Sequence, residues 1–394
     1  MVATLSATVL LTGCSIVALP PEAQRHDASL ARSGAIGYVV CPNAVTPVEL
    51  ATRTAEAGIP LPISGTPVLG DFAIAASADG RWAYVVTSNG VPSSSGTATT
   101  VVPATTPDTR QPASPSPSTS LVPRGVENVV IPIDLVTQRA LRPIPIPGEG
   151  GTHAIVIVDG GRELLASSGS MVVPIDVRTR HVGAPLDLGA GRTIFGMAAQ
   201  PNGPTVFALV AGGVFPVDTV HSAVGPEITT GLSVSSVYSP HGVAVSADGT
   251  TLYVVGQGGV DFGGRVQVIA TATAAVEGTA SFDKFGIADP AAVATSEDGT
   301  SLLVVDSANN WVNPLPLTSL GAPPAPVRLP QPTTAASASG TDHPTDIVVG
   351  PGTTGAFVVD GFSQVIPYAP ASESFGSPIG VCSGASSMAV APAP

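Results

Sequence analysis

At 394 residues the chain is longer than the roughly 250–300 at which one hydrophobic core usually stops growing, which leaves two domains or a radial array of small units. A 44% hydrophobic fraction carried by periodic strands excludes disorder for most of the length, despite 44 Gly, 40 Pro and only 11% charged residues. The net charge of -13 excludes a nucleic-acid backbone or an anionic membrane face as partner, because both need clustered Lys and Arg.

The chain opens on an apolar run, VATLSATVLLTGCS, of signal-peptide length and too short to cross a bilayer as a mature helix. Residues 1–13 are therefore expected to be an export signal. The residues Leu11-Thr12-Gly13-Cys14 resemble the lipobox of bacterial lipoproteins, which implies that Cys14 becomes the lipid-modified first residue of the mature chain. An ordinary signal peptide that contains a cysteine is the alternative. Residues 14–34 carry no strand pattern and read as a tether. That leaves Cys41 and Cys382, and two cysteines in an exported protein point to a disulfide.

From residue 35 onward one phrase recurs. Its clearest copy is SPHGVAVSADGTTLYVVG at residues 239–256: a short apolar strand, a turn at Ala247-Asp248-Gly249, and a returning β-branched and aromatic strand. Five further copies begin near residues 71, 152, 194, 290 and 344. Each is followed by a second phrase built on V-x-P-hydrophobic-Asp, as in VIPIDLVT and VVPIDVRT, which supplies a third strand and a turn. The following apolar-polar segment, such as residues 184–188, supplies a fourth. Equivalent positions Ile155, Met197, Val243, Val293, Ile347 and Met388 recur about every 40–55 residues, the spacing of propeller blades. The interval before Ile155 is about twice as long. It contains the Pro/Ser/Thr-rich stretch 92–125, read as a surface-loop insertion between the second and third strands of its blade.

Seven blades are reached only if one is shared between the chain ends. Residues 36–65 offer a second, third and fourth strand but no first, and SSMAVAPAP at 386–394 matches the missing one. The expected fold is all-β: a seven-bladed β-propeller over residues 35–394, closed by strands from both termini, with Cys41 and Cys382 stapling the closure. Proline in the third strand at 47, 132, 174, 216, 314 and 367 must lie at a strand start, at a bulge or where its missing N–H faces outward. Val268 stands at the equivalent position of the remaining blade.

The segments HGVAVSADGTTLYVVG, DPAAVATSEDG and HPTDIVVGP, with PIDLVT and PIDVRT, resemble the YVTN-type repeat family of seven-bladed propellers, related to lactonase-like propellers. The resemblance implies the fold. It leaves the function open, since such families include adhesion-like and scaffold proteins as well as sugar-lactone hydrolases.

No G-x-S-x-G, H-E-x-x-H, C-x-x-C, calcium-loop or phosphate-loop motif occurs. The residues leading into the innermost strands converge on one mouth of a propeller's channel, and this set includes His153, Phe195, His241, Ala291, Thr345 and Asp346. His153, His241 and Asp346 are the candidate ligand-binding residues, able in principle to hold a divalent metal or to act as acid and base. The alternative is that Asp caps local backbone and the histidines fill space. Asp134, Asp176 and Asp218 recur at one repeat position and are expected to be structural turn residues. The preferred expectation is a monomeric, lipid-anchored extracytoplasmic propeller that binds a protein or glycan partner at the cell envelope, touches the membrane only through its lipid, and performs no catalysis. A lactonase-like hydrolase with its site at the channel mouth is the alternative.

Overall fold

The strongest sequence repeat folds as a hairpin: Val243–Val245 pairs antiparallel with Thr251–Gly258, Val243 opposite Val254 and Val245 opposite Leu252. These contacts come from a computed structural model that describes residues 34–63, 72–89, 127–148, 150–201, 203–233, 242–258, 263–281, 289–320, 325–330, 343–350, 353, 355–361 and 363–394. The export signal, Cys14, residues 14–33 of the tether, the 92–125 insertion and His241 lie outside the described residues. The hairpin turn is locked by Asp248, whose Oδ1 accepts hydrogen bonds from the Ser246 hydroxyl (2.6 Å) and the Thr250 N–H (3.0 Å). Asp79 and Asp298 lock their own turns in the same way. Gly80, Gly249 and Gly299 follow these aspartates at φ +71°, +75° and +66°, in the left-handed region where a side chain is strained.

Seven antiparallel sheets result. Numbered by first strand, blade 1 starts with Phe72–Ala76, blade 2 with Ile155–Val158, blade 3 with Ile194–Ala199, blade 4 with Val243–Val245, blade 5 with Pro290–Thr295 and blade 6 with Pro344–Val348. Blade 7 takes its first strand, Ser387–Pro392, from the C-terminus and its second, Ala35–Cys41, from the N-terminal side. Each first strand touches the next, and that of blade 7 touches that of blade 1, so the seven close a ring around a central channel. Seven apolar clusters fill the spaces between neighbouring blades. One joins Phe207 and Leu209 of blade 3 to Val243, Leu252 and Val254 of blade 4. Burying a Val, Leu, Ile or Phe contributes roughly 1.5–3 kcal/mol, so the stability of the ring lies between blades rather than within them.

The closure is continuous. Ala35 pairs with Pro392, Tyr38 with Ala389 and Val40 with Ser387. Cys41 and Cys382 are disulfide-bonded with Cα atoms 6.0 Å apart. A second tie comes from blade 6, where the buried carboxylate of Asp346 accepts hydrogen bonds from the Met388 N–H (3.1 Å) and the Ser387 hydroxyl (3.3 Å).

The third-strand prolines shape the outer edge. Around Pro47, the outer partners are two short pieces, Thr54–Ala55 opposite Glu49 and Val48, and Ile59–Pro60 opposite Val45 and Ala44. Blades built on Pro132, Pro216 and Pro367 show the same split. The missing N–H therefore faces the fourth strand and interrupts it. In blade 4, Val268 pairs with Gly278 and the fourth strand runs unsplit over Ala275–Ser281. The segment Gly256-Gln257-Gly258 extends the second strand of blade 4, because Arg265, Gly264 and Gly263 pair with it.

Candidate functional site

First strands begin where second strands end, as the pairings Phe72 with Thr87, Pro290 with Asp306 and Pro344 with Asp360 show. One face of the ring, the mouth face, therefore gathers the approaches to the first strands and the connections between second and third strands. It is rich in buried polar groups for an all-β core. Between blades 1 and 2, Asn128 donates to the Ser168 hydroxyl (2.7 Å) and the Gly150 carbonyl (2.9 Å) and accepts from the Ser88 hydroxyl (3.0 Å). In blade 5, Asp306 is fully buried and accepts from the Asn309 amide (2.7 Å) and the Ala308 N–H (3.1 Å). Ser307 donates to the Asp289 carboxylate (3.0 Å). Buried polar groups survive in such a core only when hydrogen-bonded, and these networks meet that condition.

His153 lies on this face, ahead of blade 2. The N–H groups of His153 and Ala154 both donate to the Ser167 hydroxyl at 2.9 Å, and the imidazole stacks on Phe195 of blade 3, centroids 5.9 Å apart. Phe195 owes its position to a β-bulge: Ile194 pairs with Val210 and Gly196 with Leu209, leaving Phe195 as the extra residue. Ala291 and Thr345 are the extra residues of matching bulges in blades 5 and 6. Bulges re-aim side chains, and here they act at the positions where the strands approach the channel. The sequence aligned these three residues but gave no sign of the bulges, beyond the strand-opening Pro290 and Pro344 in two cases. Asp346, just after the blade 6 bulge, also accepts from its neighbour Ile347 N–H at 2.8 Å. His153 and Asp346 belong to blades 2 and 6, which are not neighbours. Among the described residues, no three His, Cys, Asp or Glu side chains gather to hold a metal.

The turn aspartates behave as expected. Asp134 accepts from the Val136 and Thr137 N–H groups, Asp176 from Thr179, and Asp218 from Val220 and His221. Hydrogen bonds from Thr179 hold the Asp176 carboxyl below the usual range, and those from His221 do the same for Asp218.

The opposite face carries grooves between blades. One of about 680 Å³ runs between blades 2 and 3, with Ile157, Pro201, Pro204 and the exposed Val220 on its walls and Glu163 at its edge. Burial, reinforced by Asp159 and Asp176, raises the Glu163 pKa. A second, of about 600 Å³, lies between blades 1 and 2 beside Trp82. Trp82 stacks on Tyr84 with centroids 6.5 Å apart, and the Arg81 guanidinium lies 5.9 Å from the indole centroid. The indole also packs against the cluster between blades 1 and 2.

Seven four- and five-stranded sheets in a closed ring define the chain as a seven-bladed β-propeller. No protein-family model matches it, and no curated protein sequence does. Solved structures do. A periplasmic gluconolactonase of Pseudomonas aeruginosa, PpgL, is 15% identical, with 92% of this chain and 99% of that one covered at a TM-score of 0.60. A functionally unknown protein from Desulfotomaculum acetoxidans is 11% identical, with 91% and 99% covered at 0.58. The hydrazine synthase of Kuenenia stuttgartiensis is 15% identical, with 78% of each chain covered at 0.56. At such identities the likeness is one of fold.

Proposed function

We propose that the protein is a lipid-anchored, extracytoplasmic propeller of the YVTN repeat type that binds a protein or glycan partner at the cell envelope without catalysis. The observation that supports this reading most is the state of the mouth-face carboxylates. Asp346 serves Ile347, Ser387 and Met388, and Asp306 serves its own connection, so these acids act as strand and turn locks. The Cys41–Cys382 disulfide supports an oxidising, extracytoplasmic compartment. The apolar segment ending at Cys14 supports export and anchoring.

Two experiments test it. Replacing Cys14 with Ala should move the protein from the membrane fraction to the soluble one, and unchanged detergent partitioning would rule out the lipid anchor. The purified protein should not hydrolyse sugar lactones. Hydrolysis that disappears in His153→Ala and His241→Ala would establish instead the lactonase reading, which the periplasmic gluconolactonase among the structural neighbours brings forward.

A further inference from the structure

Five Asp-Gly pairs occur in the chain, and four of them turn a hairpin between a first and a second strand. In blades 1, 4 and 5 a serine two residues before the aspartate locks the turn. The hydroxyls of Ser77, Ser246 and Ser296 donate to the carboxylates of Asp79, Asp248 and Asp298, and the N–H groups of Gly80, Gly249 and Gly299 donate to the carbonyls of the same serines. The fifth pair is buried: Asp360 ends a second strand, and the Gly361 N–H donates to the His343 carbonyl. Blade 2 departs from this pattern. Ile157 stands where the serine would be, and the turn is a single 3-10 turn over Asp159–Gly161, in which the Arg162 N–H donates to the Asp159 carbonyl. The Asp159 side chain is 62% exposed, and among the described residues its one hydrogen-bonding or ion-pair partner is the Arg162 guanidinium, 3.9 Å away. A Cβ on Gly160 or Gly161 would meet nothing within 4 Å, so no neighbour holds the peptide that follows the aspartate. Asp159 itself sits at φ +49°, in the left-handed region that strains a side chain.

We propose that Asp159-Gly160 is a site of spontaneous isoaspartate formation, and that the serine locks protect the other hairpin turns from the same reaction. The Gly160 nitrogen attacks the side-chain carboxyl carbon of Asp159 in its acid form. A C–N bond forms, the C–OH bond breaks, and the amide proton and the hydroxyl leave as water, closing a five-membered succinimide. Water then opens that ring. Addition at the former side-chain carbonyl returns aspartate. Addition at the backbone carbonyl breaks the original peptide C–N bond and leaves the main chain running through the side chain, with the α-carboxylate free. Only water leaves and enters, so the mass is unchanged. In the locked turns the carboxylate must first leave its serine hydroxyl, and the glycine nitrogen its serine carbonyl, before the two can meet. Those bonds, led by the serine hydroxyls, also hold Asp79, Asp248 and Asp298 below the usual carboxylate range, in the ionised form that closes the ring least readily. Asp159 and Gly160 line the groove between blades 2 and 3, and Gly160 also lines that between blades 1 and 2, so the methylene gained by the main chain reshapes a wall common to both.

The full chain, kept folded at physiological temperature in mildly acidic buffer, where a larger share of carboxyls is protonated, is sampled over weeks and digested with trypsin. Residues 140–162 come off as one peptide in which Asp159 is the sole aspartate and asparagine is absent. Isoaspartate shows there as a second chromatographic peak of unchanged mass that endoproteinase Asp-N leaves uncut, and electron-driven fragmentation assigns the linkage at the other pairs. It should accumulate at Asp159 at least about tenfold faster than at Asp79, Asp248 or Asp298, the factor that one net hydrogen bond supplies. Ser246→Ala should bring Asp248 up towards the Asp159 rate, and Ile157→Ser should slow Asp159. In urea the four hairpin pairs should convert at similar rates. A peptide 140–162 that stays homogeneous, or that converts no faster than the locked pairs, overturns the proposal. So does a difference that persists in urea, which would trace the rate to neighbours in sequence instead of to the turn. An Asp248 that stays slow in Ser246→Ala overturns the protective role of the serines, a reading that stands even if Ile157→Ser does not fold.

Discussion

Removing the staple at the ring closure, by the double change Cys41→Ser and Cys382→Ser, should lower stability without altering the fold. The bond joins residues 341 apart in sequence, and the chain-entropy relation for a loop of that length gives about 5–6 kcal/mol at 25 °C. Measured disulfides rarely exceed about 5 kcal/mol, so a loss of about 3–5 kcal/mol is expected. The strand pairing from Ala35 opposite Pro392 to Val40 opposite Ser387 survives the change, so the native ring stays closed and the effect falls on the unfolded chain. At roughly 2.1 cal/mol/K per residue, a ring of this size unfolds with an entropy of about 0.6–0.8 kcal/mol/K, which turns the loss into a fall in Tm of about 4–8 °C. Calorimetry of the oxidised wild type and the double serine variant, with far-UV circular dichroism to confirm the sheet content, measures it. A fall of less than about 1 °C would refute the premise that the closure constrains the unfolded chain. A variant without sheet signal would show that strand pairing alone does not close the ring.

Three further outcomes follow from named contacts. Alanine at Gly80, Gly249 and Gly299 tests one turn conformation against three surroundings: a Cβ at Gly80 runs into the Pro392 backbone carbonyl, one at Gly249 meets the Gln200 side chain at 3.1 Å, and one at Gly299 meets nothing. Losses should rank in that order, with Gly299→Ala near the ~1–2 kcal/mol of left-handed strain alone, as read from urea midpoints. Asp346→Ala leaves the Met388 N–H without its carboxylate and should cost about 2–4 kcal/mol, with faster hydrogen exchange at the Met388 amide as its local signature. The pH dependence has two signs. Hydrogen bonds led by the Ser246 and Ser296 hydroxyls lower the Asp248 and Asp298 pKa values, so these turns contribute stability above the ordinary carboxylate range that is lost as pH falls through their folded values. The Glu163 pKa is raised, chiefly by burial, so its charge opposes folding as pH rises; Glu163→Gln should raise the urea midpoint at pH 7 and lose that advantage near pH 4.

The ring was legible in the sequence because its unit is local. The hairpins declare themselves within about 20 residues through alternating apolar positions and a Gly-containing turn, Asp-Gly in four of the six copies, and the N-terminal blade lacks the one strand that SSMAVAPAP supplies. The Cys41–Cys382 pair followed from that closure. What the sequence concealed depends on neighbours far away along the chain. Asp346 reads as a possible ligand because Ser387 and Met388, about 40 residues on, come beside it only when blades 6 and 7 adjoin. Ser88, Asn128 and Ser168 give no motif because they lie on three separate strands of two blades. The prolines announced an interruption, but only the pairing around Pro47 or Pro132 shows that the fourth strand is what they break.

Pairing Ser387–Pro392 with Ala35–Cys41 also sets a timetable. Residues 35–41 must wait for residues 387–392, because blade 7 has no inner strand until those are made. During that interval Ala35–Cys41 offers a bare row of backbone donors and acceptors to any passing strand. A cut before Ser387 that removes this strand would make that transient state permanent, so it should harm this protein far more than a cut in a surface loop.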